Sequence, residues 1–224
     1  MKKFLLTVFL STFTNVAVAQ MPPTSDEINS YLGLHRAAHT GNIAEIARLA
    51  SAGADPNIRD ARGRSPAHIA AYASQDDALR ALSLAGADMN ALEGQAYDVV
   101  TIAAVANDPD LMSLAIELGN DPGLTTSPYD GTALIAAAHL GHVDVVRRLI
   151  DAGAPLDHVN NLNWTALIEA VVLGDGGPDH QDVVRLLVQA GADQTIGDRD
   201  GVTPLEHAKA RGYTNMVAIL SPAD

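Results

Sequence analysis

The sequence predicts an all-α solenoid, a stack of about six helix-turn-helix units with β-turn fingers that project from one edge. Three observations lead to this prediction. A glycine-led marker recurs at a nearly constant interval, a run with helical spacing of apolar residues precedes each marker, and a turn with a helix-capping residue precedes most runs. Units of this size bury their apolar faces against one another, so the pattern favours a stack.

The marker defines the period of the repeat. It reads Gly-Ala-Asp in three places, is altered in two, and starts at Gly53, Gly86, Gly119, Gly153 and Gly191. Successive glycines are 33, 33, 34 and 38 residues apart. A glycine just after a helix can take the left-handed conformation that ends the helix without steric strain. The marker therefore indicates the end of one helix pair.

The first helix of most units is predicted to begin at a Ser or Thr. The hydroxyl of such a residue accepts a backbone N–H, and a following proline fits the first helical position. These pairs are Ser65-Pro66, Thr132-Ala133, Thr165-Ala166 and Thr203-Pro204. Asp98 and Val99 stand in this place in the third unit. Second helices are expected in apolar runs such as 145–150 and 183–187.

These features resemble the ankyrin repeat family, most closely in residues 60–71, 131–143 and 200–205. The ankyrin-repeat domain is predicted over residues 27–224, with units at 27–59, 60–92, 93–126, 127–159, 160–197 and 198–224. The resemblance implies a concave face formed by the fingers and the first helices. It also implies that His35 and His68 make structural hydrogen bonds between neighbouring units, and that His142 is structural as well.

Residues 1–19 have the parts of a secretory signal peptide. Lys2 and Lys3 precede an apolar run over 4–13, and small residues at Ala17 and Ala19 form an A-x-A cleavage site. Cleavage after Ala19 would leave a short extension, residues 20–26, ahead of the repeats in a periplasmic or secreted protein. The alternative is an uncleaved amphipathic tail. The run is too short to anchor the chain in a membrane.

Charge and composition narrow the class of partner. The net charge is −13, with 27 acidic and 14 basic residues, and loss of the two N-terminal lysines leaves 12 basic residues and a net charge of −15. This balance argues against binding to nucleic acid or to an anionic membrane surface. The chain has no cysteine, which excludes disulfides, thiolate metal sites and cysteine nucleophiles.

No catalytic motif is found, so the sequence predicts neither an enzyme nor a cofactor site. One segment keeps an alternative open. The fifth unit is longer than the others, and its insertion carries Asp175, Asp179, His180 and Asp182. The oxygen and nitrogen atoms of these side chains could coordinate a cation, as in a metal-dependent ligand binder or enzyme. The spacing matches no EF-hand loop, and a plain loop is the competing interpretation.

Aromatic and arginine side chains dominate the energetics of protein interfaces, so their placement predicts a binding surface. The candidate partner-binding residues are Tyr31, Arg59, Arg62, Arg64, Tyr72, Tyr97, Tyr129 and Trp164. By their position in each unit, most of the aromatics fall in a finger, and Tyr72 falls on a first helix. The alternative for Trp164 is that it packs against a neighbouring finger.

The predicted function is a non-enzymatic protein–protein interaction module in the periplasm. An exported enzyme is one candidate partner, bound by a scaffold, a protector, or an inhibitor or immunity factor. The protein is expected to be a monomer on its own, and a self-assembling solenoid is a further alternative.

Overall fold

The computed structural model describes residues 20–221, and this part of the chain is helical apart from turns and one isolated β-bridge. The thirteen helices of the described part are α1 (Ser25–Ser30), α2 (Gly33–His39), α3 (Ile43–Ser51), α4 (Pro66–Tyr72), α5 (Asp76–Leu84), α6 (Val99–Ala106), α7 (Pro109–Glu117), α8 (Ala133–Leu140), α9 (Val143–Asp151), α10 (Ala166–Val172), α11 (Pro178–Ala190), α12 (Pro204–Arg211) and α13 (Thr214–Leu220).

Helices α2 to α13 form six helix-turn-helix pairs. The first helices of the pairs form an inner row, in which α2, α4, α6, α8, α10 and α12 each pack against the next. The second helices form an outer row, in which α3 packs on α5, and α7, α9, α11 and α13 pack in sequence. An ion pair of 3.4 Å between Arg80 and Glu117 links α5 to α7. The predicted stack of about six units is confirmed, and α1 is an additional helix ahead of the first pair.

An alanine occupies the same register in every inner helix. It lies five residues after the N-cap residue and is buried in each unit: Ala37, Ala70, Ala103, Ala137, Ala170 and Ala208. The separation of packed helices depends on the side chains at the contact, so a single methyl group lets neighbouring inner helices approach closely. Leu, Ile and Val side chains fill most of the remaining core between the two rows.

The fingers are short turns that precede the inner helices. Those of the second to sixth units are residues 60–64, 93–97, 126–131, 160–164 and 198–202, and a main-chain hydrogen bond of 2.7–3.0 Å closes each one. Further main-chain bonds join neighbouring fingers: Gly94 N–H to Arg62 O at 2.8 Å, Ser127 N–H to Ala96 O at 2.8 Å and Asn161 N–H to Tyr129 O at 2.9 Å. The fingers of the second to fifth units therefore form a continuous edge.

The ends of the helices follow the predicted signals. Thr132, Thr165 and Thr203 accept a backbone N–H at the starts of their helices. In the third unit Asp98 takes this role, accepting from Thr101 N–H at 2.8 Å, so the stack continues without a Ser or Thr there. Gly191, with φ at +95°, ends α11 in the left-handed conformation that a side chain would strain.

The histidines expected to be structural connect neighbouring units. Each has a ring nitrogen within hydrogen-bond distance of a main-chain oxygen in another unit: His35 and Arg64 O at 3.0 Å, His68 and Tyr97 O at 3.1 Å, and His142 and Ala104 O at 2.8 Å. Burial lowers the pKa of His68 to about 4, so its ring is neutral at pH 7. These histidines hold the units in register.

The insertion in the fifth unit lengthens a helix more than it lengthens a loop. The plain-loop interpretation holds for residues 173–177 only, since α11 begins at Pro178 and has 13 residues, whereas α3, α5, α7 and α9 have 9 each. The proline fits the first helical position, which explains the start. Gly176 is required in the turn before it, because φ is +74° and a Cβ would lie 2.6 Å from the Tyr213 ring.

The predicted signal peptide, residues 1–19, lies outside the described residues. Within residues 20–221, none of the helices has the length and apolar character needed to cross a membrane.

Candidate functional site

A cleft runs between the fingers and the inner helices of the third to fifth units, and we call it the inner groove. It encloses a cavity of about 410 Å³. Its lining comes from α6, α8 and α10 and from the fingers at 93–97, 126–131 and 160–164, and it is mostly apolar. The predicted extension reaches this cleft, because the Gln20 amide donates a hydrogen bond of 2.8 Å to Thr101 O.

The inner groove brings together three of the predicted binding residues, Tyr97, Tyr129 and Trp164. Tyr129 is 38% exposed and Trp164 is half-buried, so both are accessible from the cleft. Tyr97 is buried and lies in the wall, where burial raises the pKa of its hydroxyl. Leu140 and Leu162 add exposed apolar surface at the same place. Aromatic and aliphatic groups thus converge on one cavity.

The main chain of Trp164 closes its own finger, and its side chain lies at the inner groove. Its main-chain amide and carbonyl each bond to Asn160 at 3.0 Å and close the finger. Its side chain lines the cavity. The main chain is therefore structural, and the indole is available for contact.

A buried carboxylate, which the sequence reasoning missed, lies in the same lining. Glu169 on α10 is only 4% exposed, and its Oε1 accepts a hydrogen bond of 2.9 Å from the Asn160 amide. The Nδ1 of His139 is 3.4 Å from Oε2. Burial raises the pKa of Glu169 to about 7 and lowers the pKa of His139. The groove therefore holds an acid that changes charge near neutral pH.

The sequence does carry a signal for Glu169. The residue lies four positions after its N-cap residue, where the second, third and fourth units have Ile69, Ile102 and Ala136. The first and sixth units have Arg36 and His207 at this position, so the fifth is the one unit with an acidic side chain there, which comparison of the units reveals.

Comparison with known proteins gives the family. A model described as ankyrin repeats (3 copies) matches residues 100–198, and one described as ankyrin repeats (many copies) matches residues 34–84. An ankyrin repeat domain from Acinetobacter baumannii AYE is 40% identical, with a TM-score of 0.78 over 84% of this chain and 95% of that one. The chain belongs to the ankyrin repeat family.

Two other ankyrin repeat proteins illustrate the range of similarity. The crystal structure of the ankyrin repeat protein EF0377 is 30% identical, with a TM-score of 0.78 over 87% of this chain and 100% of that one. The putative ankyrin repeat protein YahD of Escherichia coli K12 is 36% identical over 116 residues, 51% of this chain and 58% of YahD. The chain thus matches just over half the length of YahD. Enzymes among the matched proteins share only their ankyrin repeats with it.

Two of the predicted binding residues are not on the accessible face of this ankyrin stack. Tyr31 is 6% exposed, since it caps the C-terminus of α1 and donates a hydrogen bond of 2.9 Å to Asp60. Arg64 is 1% exposed and pairs with Asp60 at 2.7 Å and with Glu27 at 3.2 Å. Neither side chain is exposed for contact with a partner, because both bond to Asp60 and Glu27 of α1 pairs with Arg64.

The remaining three candidates lie outside the inner groove. Tyr72, at the end of α4, is half-buried against the core, and its buried hydroxyl has no hydrogen-bond partner among the described residues. Arg59 is exposed, but it donates bonds of 2.7 Å to Gly63 O and Leu92 O and so bridges two fingers. Arg62 is also exposed and pairs with Glu27 at 2.6 Å. Both guanidinium groups are engaged within the chain.

The acidic insertion does not form a ligand set in the structure. Asp175 Oδ1 accepts from Gly177 N–H at 2.8 Å and lies 3.0 Å from His180 Nδ1. Asp182 forms an ion pair with Arg185 one turn along α11. Across residues 20–221, no three His, Asp or Glu side chains are grouped so that they could hold a metal ion. The metal-dependent alternative therefore lacks a structural basis in this part of the chain.

Arg64 and Arg62 allow a direct test of which arginine is structural. We expect Arg64→Ala to lower the free energy of unfolding by about 3–5 kcal/mol, because it removes a buried guanidinium and leaves the partly buried carboxylate of Asp60 without its cation. Arg62→Ala removes an exposed ion pair and is expected to cost less than about 1 kcal/mol. Urea unfolding followed by circular dichroism measures both. Equal effects of the two substitutions would contradict the buried role of Arg64.

Proposed function

We propose that this ankyrin repeat protein is exported and binds a protein partner through the inner groove, without catalysing a reaction. Ankyrin repeat domains typically mediate protein–protein interactions. The observation that carries the proposal is the convergence of Tyr129, Trp164 and two exposed leucines on one cavity. Contiguous exposed apolar surface of this kind marks interaction sites on soluble proteins.

The chemistry of the groove suits a protein ligand. Tyrosine and tryptophan supply large contact areas at a low cost in side-chain entropy, and they dominate binding hot spots. The hydroxyl or indole N–H at the edge of each ring can bond to a partner. The flanking fingers are linked by main-chain hydrogen bonds, so the surface is already organised before binding.

The proposed location rests on residues 1–19, whose charge and hydropathy pattern is that of a signal peptide. An exported partner follows from that location. An exported enzyme that the protein scaffolds, protects or inhibits is one candidate for this partner.

Affinity capture tests the groove. We expect Tyr129→Ala and Trp164→Ala each to weaken partner binding at least about tenfold, because each removes an aromatic contact from the cavity. The bait is the full protein expressed with its natural N-terminus, and the prey is a periplasmic extract, with affinities then measured by calorimetry on the captured partner.

Leu84→Ala is the matched control for this capture. Leu84 is 90% exposed at the end of α5 in the outer row, so its loss removes apolar surface without touching the groove. The control should bind like the wild type, and all variants should keep the wild-type circular dichroism spectrum. Loss of capture with Leu84→Ala, and not with the groove variants, would overturn the assignment.

Export has its own test. We expect the protein purified from the periplasmic fraction to begin at Gln20, and replacement of both Ala17 and Ala19 by Lys to leave the signal uncleaved, since the peptidase needs small side chains there. N-terminal sequencing and fractionation measure this outcome. A full-length wild-type chain found only in the cytosol would contradict the proposal.

A further inference from the structure

Glu169 is the acidic residue in the lining of the inner groove, and its charge is less compensated than those of Asp60 and Asp98 outside the groove. Partly buried Asp60 has the Arg64 guanidinium at 2.7 Å, and buried Asp98 accepts hydrogen bonds of 2.8 Å from both Thr101 and Asn120. Glu169 accepts one hydrogen bond shorter than 3.0 Å, which the Asn160 side-chain amide donates. Among residues 20–221, its ion-pair contact is with a histidine at 3.4 Å and with no lysine or arginine. A buried carboxylate without a cation is costly.

The space in front of this carboxylate is apolar and open to one side. Leu162 and Leu140 are exposed in the lining, and the rings of Tyr129 and Trp164 face the same cavity. A volume of about 410 Å³ accommodates one long side chain with room to spare. The cavity thus combines walls that suit an aliphatic stem with an acidic group that suits a cationic head.

We propose that the inner groove takes a lysine or arginine side chain of the protein partner, with Glu169 pairing its cationic head and Tyr129 and Trp164 packing against its stem. This inference rests on the proposed function, and it specifies the chemistry that the partner presents. The partner therefore offers a basic residue at the centre of its contact surface.

Charge complementarity favours a cation over the other occupants of such a cavity. The chain carries 27 acidic and 14 basic residues, so its field attracts positive groups. Aromatic ring faces attract ammonium and guanidinium groups. A neutral side chain would leave the Glu169 charge unpaired, and an anionic one would be repelled by it.

The ionisable groups on the neighbouring helices do not compete with a bound cation for Glu169. His139 on α8 faces Glu169 directly, and burial lowers its pKa, which disfavours the charged form of its ring. His180 on α11 is held by Asp175 at 3.0 Å, and His207 on α12 by Asp198 at 2.8 Å. Binding should strengthen as the pH rises, since the proton on Glu169 must leave and His139 must not compete as a cation.

Trp164 is the only tryptophan of the chain, so its fluorescence reports on the groove directly. The probes are Nα-acetyl-lysine amide and Nα-acetyl-arginine amide, with Nα-acetyl-norleucine amide as the uncharged control, titrated into the full protein. We expect a saturable change with at least one cationic probe and binding of norleucine at least about tenfold weaker. Raising the pH from 6 to 8 should strengthen cation binding by about tenfold.

Glu169→Gln and Glu117→Gln form a matched pair of variants. Both remove one carboxylate, but Glu117 lies on α7 in the outer row. The side-chain oxygen that Glu169→Gln retains can still accept the hydrogen bond from the Asn160 amide. We expect Glu169→Gln to reduce cation binding to the norleucine level and Glu117→Gln to leave it unchanged. Three outcomes would overturn the inference. The cationic probes could bind no more tightly than the norleucine probe, folded Glu169→Gln could bind the cationic probes as tightly as the wild type, or neither cationic probe could give a saturable change in fluorescence.

The inference and the proposed function can fail separately. If Trp164→Ala abolishes partner capture and Glu169→Gln captures the partner with full affinity, the groove binds a partner but no basic side chain. If the cationic probes bind and capture is indifferent to Trp164→Ala, the groove binds cations but is not the partner surface.

Discussion

The close approach of neighbouring inner helices is the constraint on which the rest of this structure depends. One buried alanine in each inner helix, from Ala37 in the first unit to Ala208 in the last, sets that approach. Because the helices lie close together, the fingers that precede them come within main-chain hydrogen-bonding distance of one another. A larger side chain at this register would separate two units and break the continuous edge of fingers. The groove is thus a consequence of small residues that do not line it.

The features of the candidate site depart from the repeating pattern of the units. Where the second and third units place Ile69 and Ile102, the fifth places Glu169, and the same stacking that buries the isoleucines buries the carboxylate. The stack accommodates this buried carboxylate because Asn160 donates a hydrogen bond to it and His139 lies beside it. A stack whose stability comes from its other contacts can carry such a desolvated carboxylate in the lining of the inner groove.

The local and repetitive parts of the structure are the parts that the sequence predicts best. The period, the helix caps and the contacts of His35 and His68 follow from short motifs and from the family pattern, and the structure confirms them. Contacts between segments that are distant in the chain are predicted least well. The burial of Tyr31 and Arg64 depends on α1 and on Glu27, which is 37 residues from Arg64 in the chain, and no local pattern indicates it. Tyr97, Tyr129 and Trp164 were placed correctly in fingers, but their shared cavity required the packing of three units.

Hydrogen–deuterium exchange on the complex with a captured partner tests most directly whether the inner groove is the binding surface. The account predicts that binding slows amide exchange in the fingers at 126–131 and 160–164 and in α8, and leaves the outer helices α5 and α9 unchanged. Slowed exchange confined to the outer row, with the fingers exchanging as in the free protein, would contradict it.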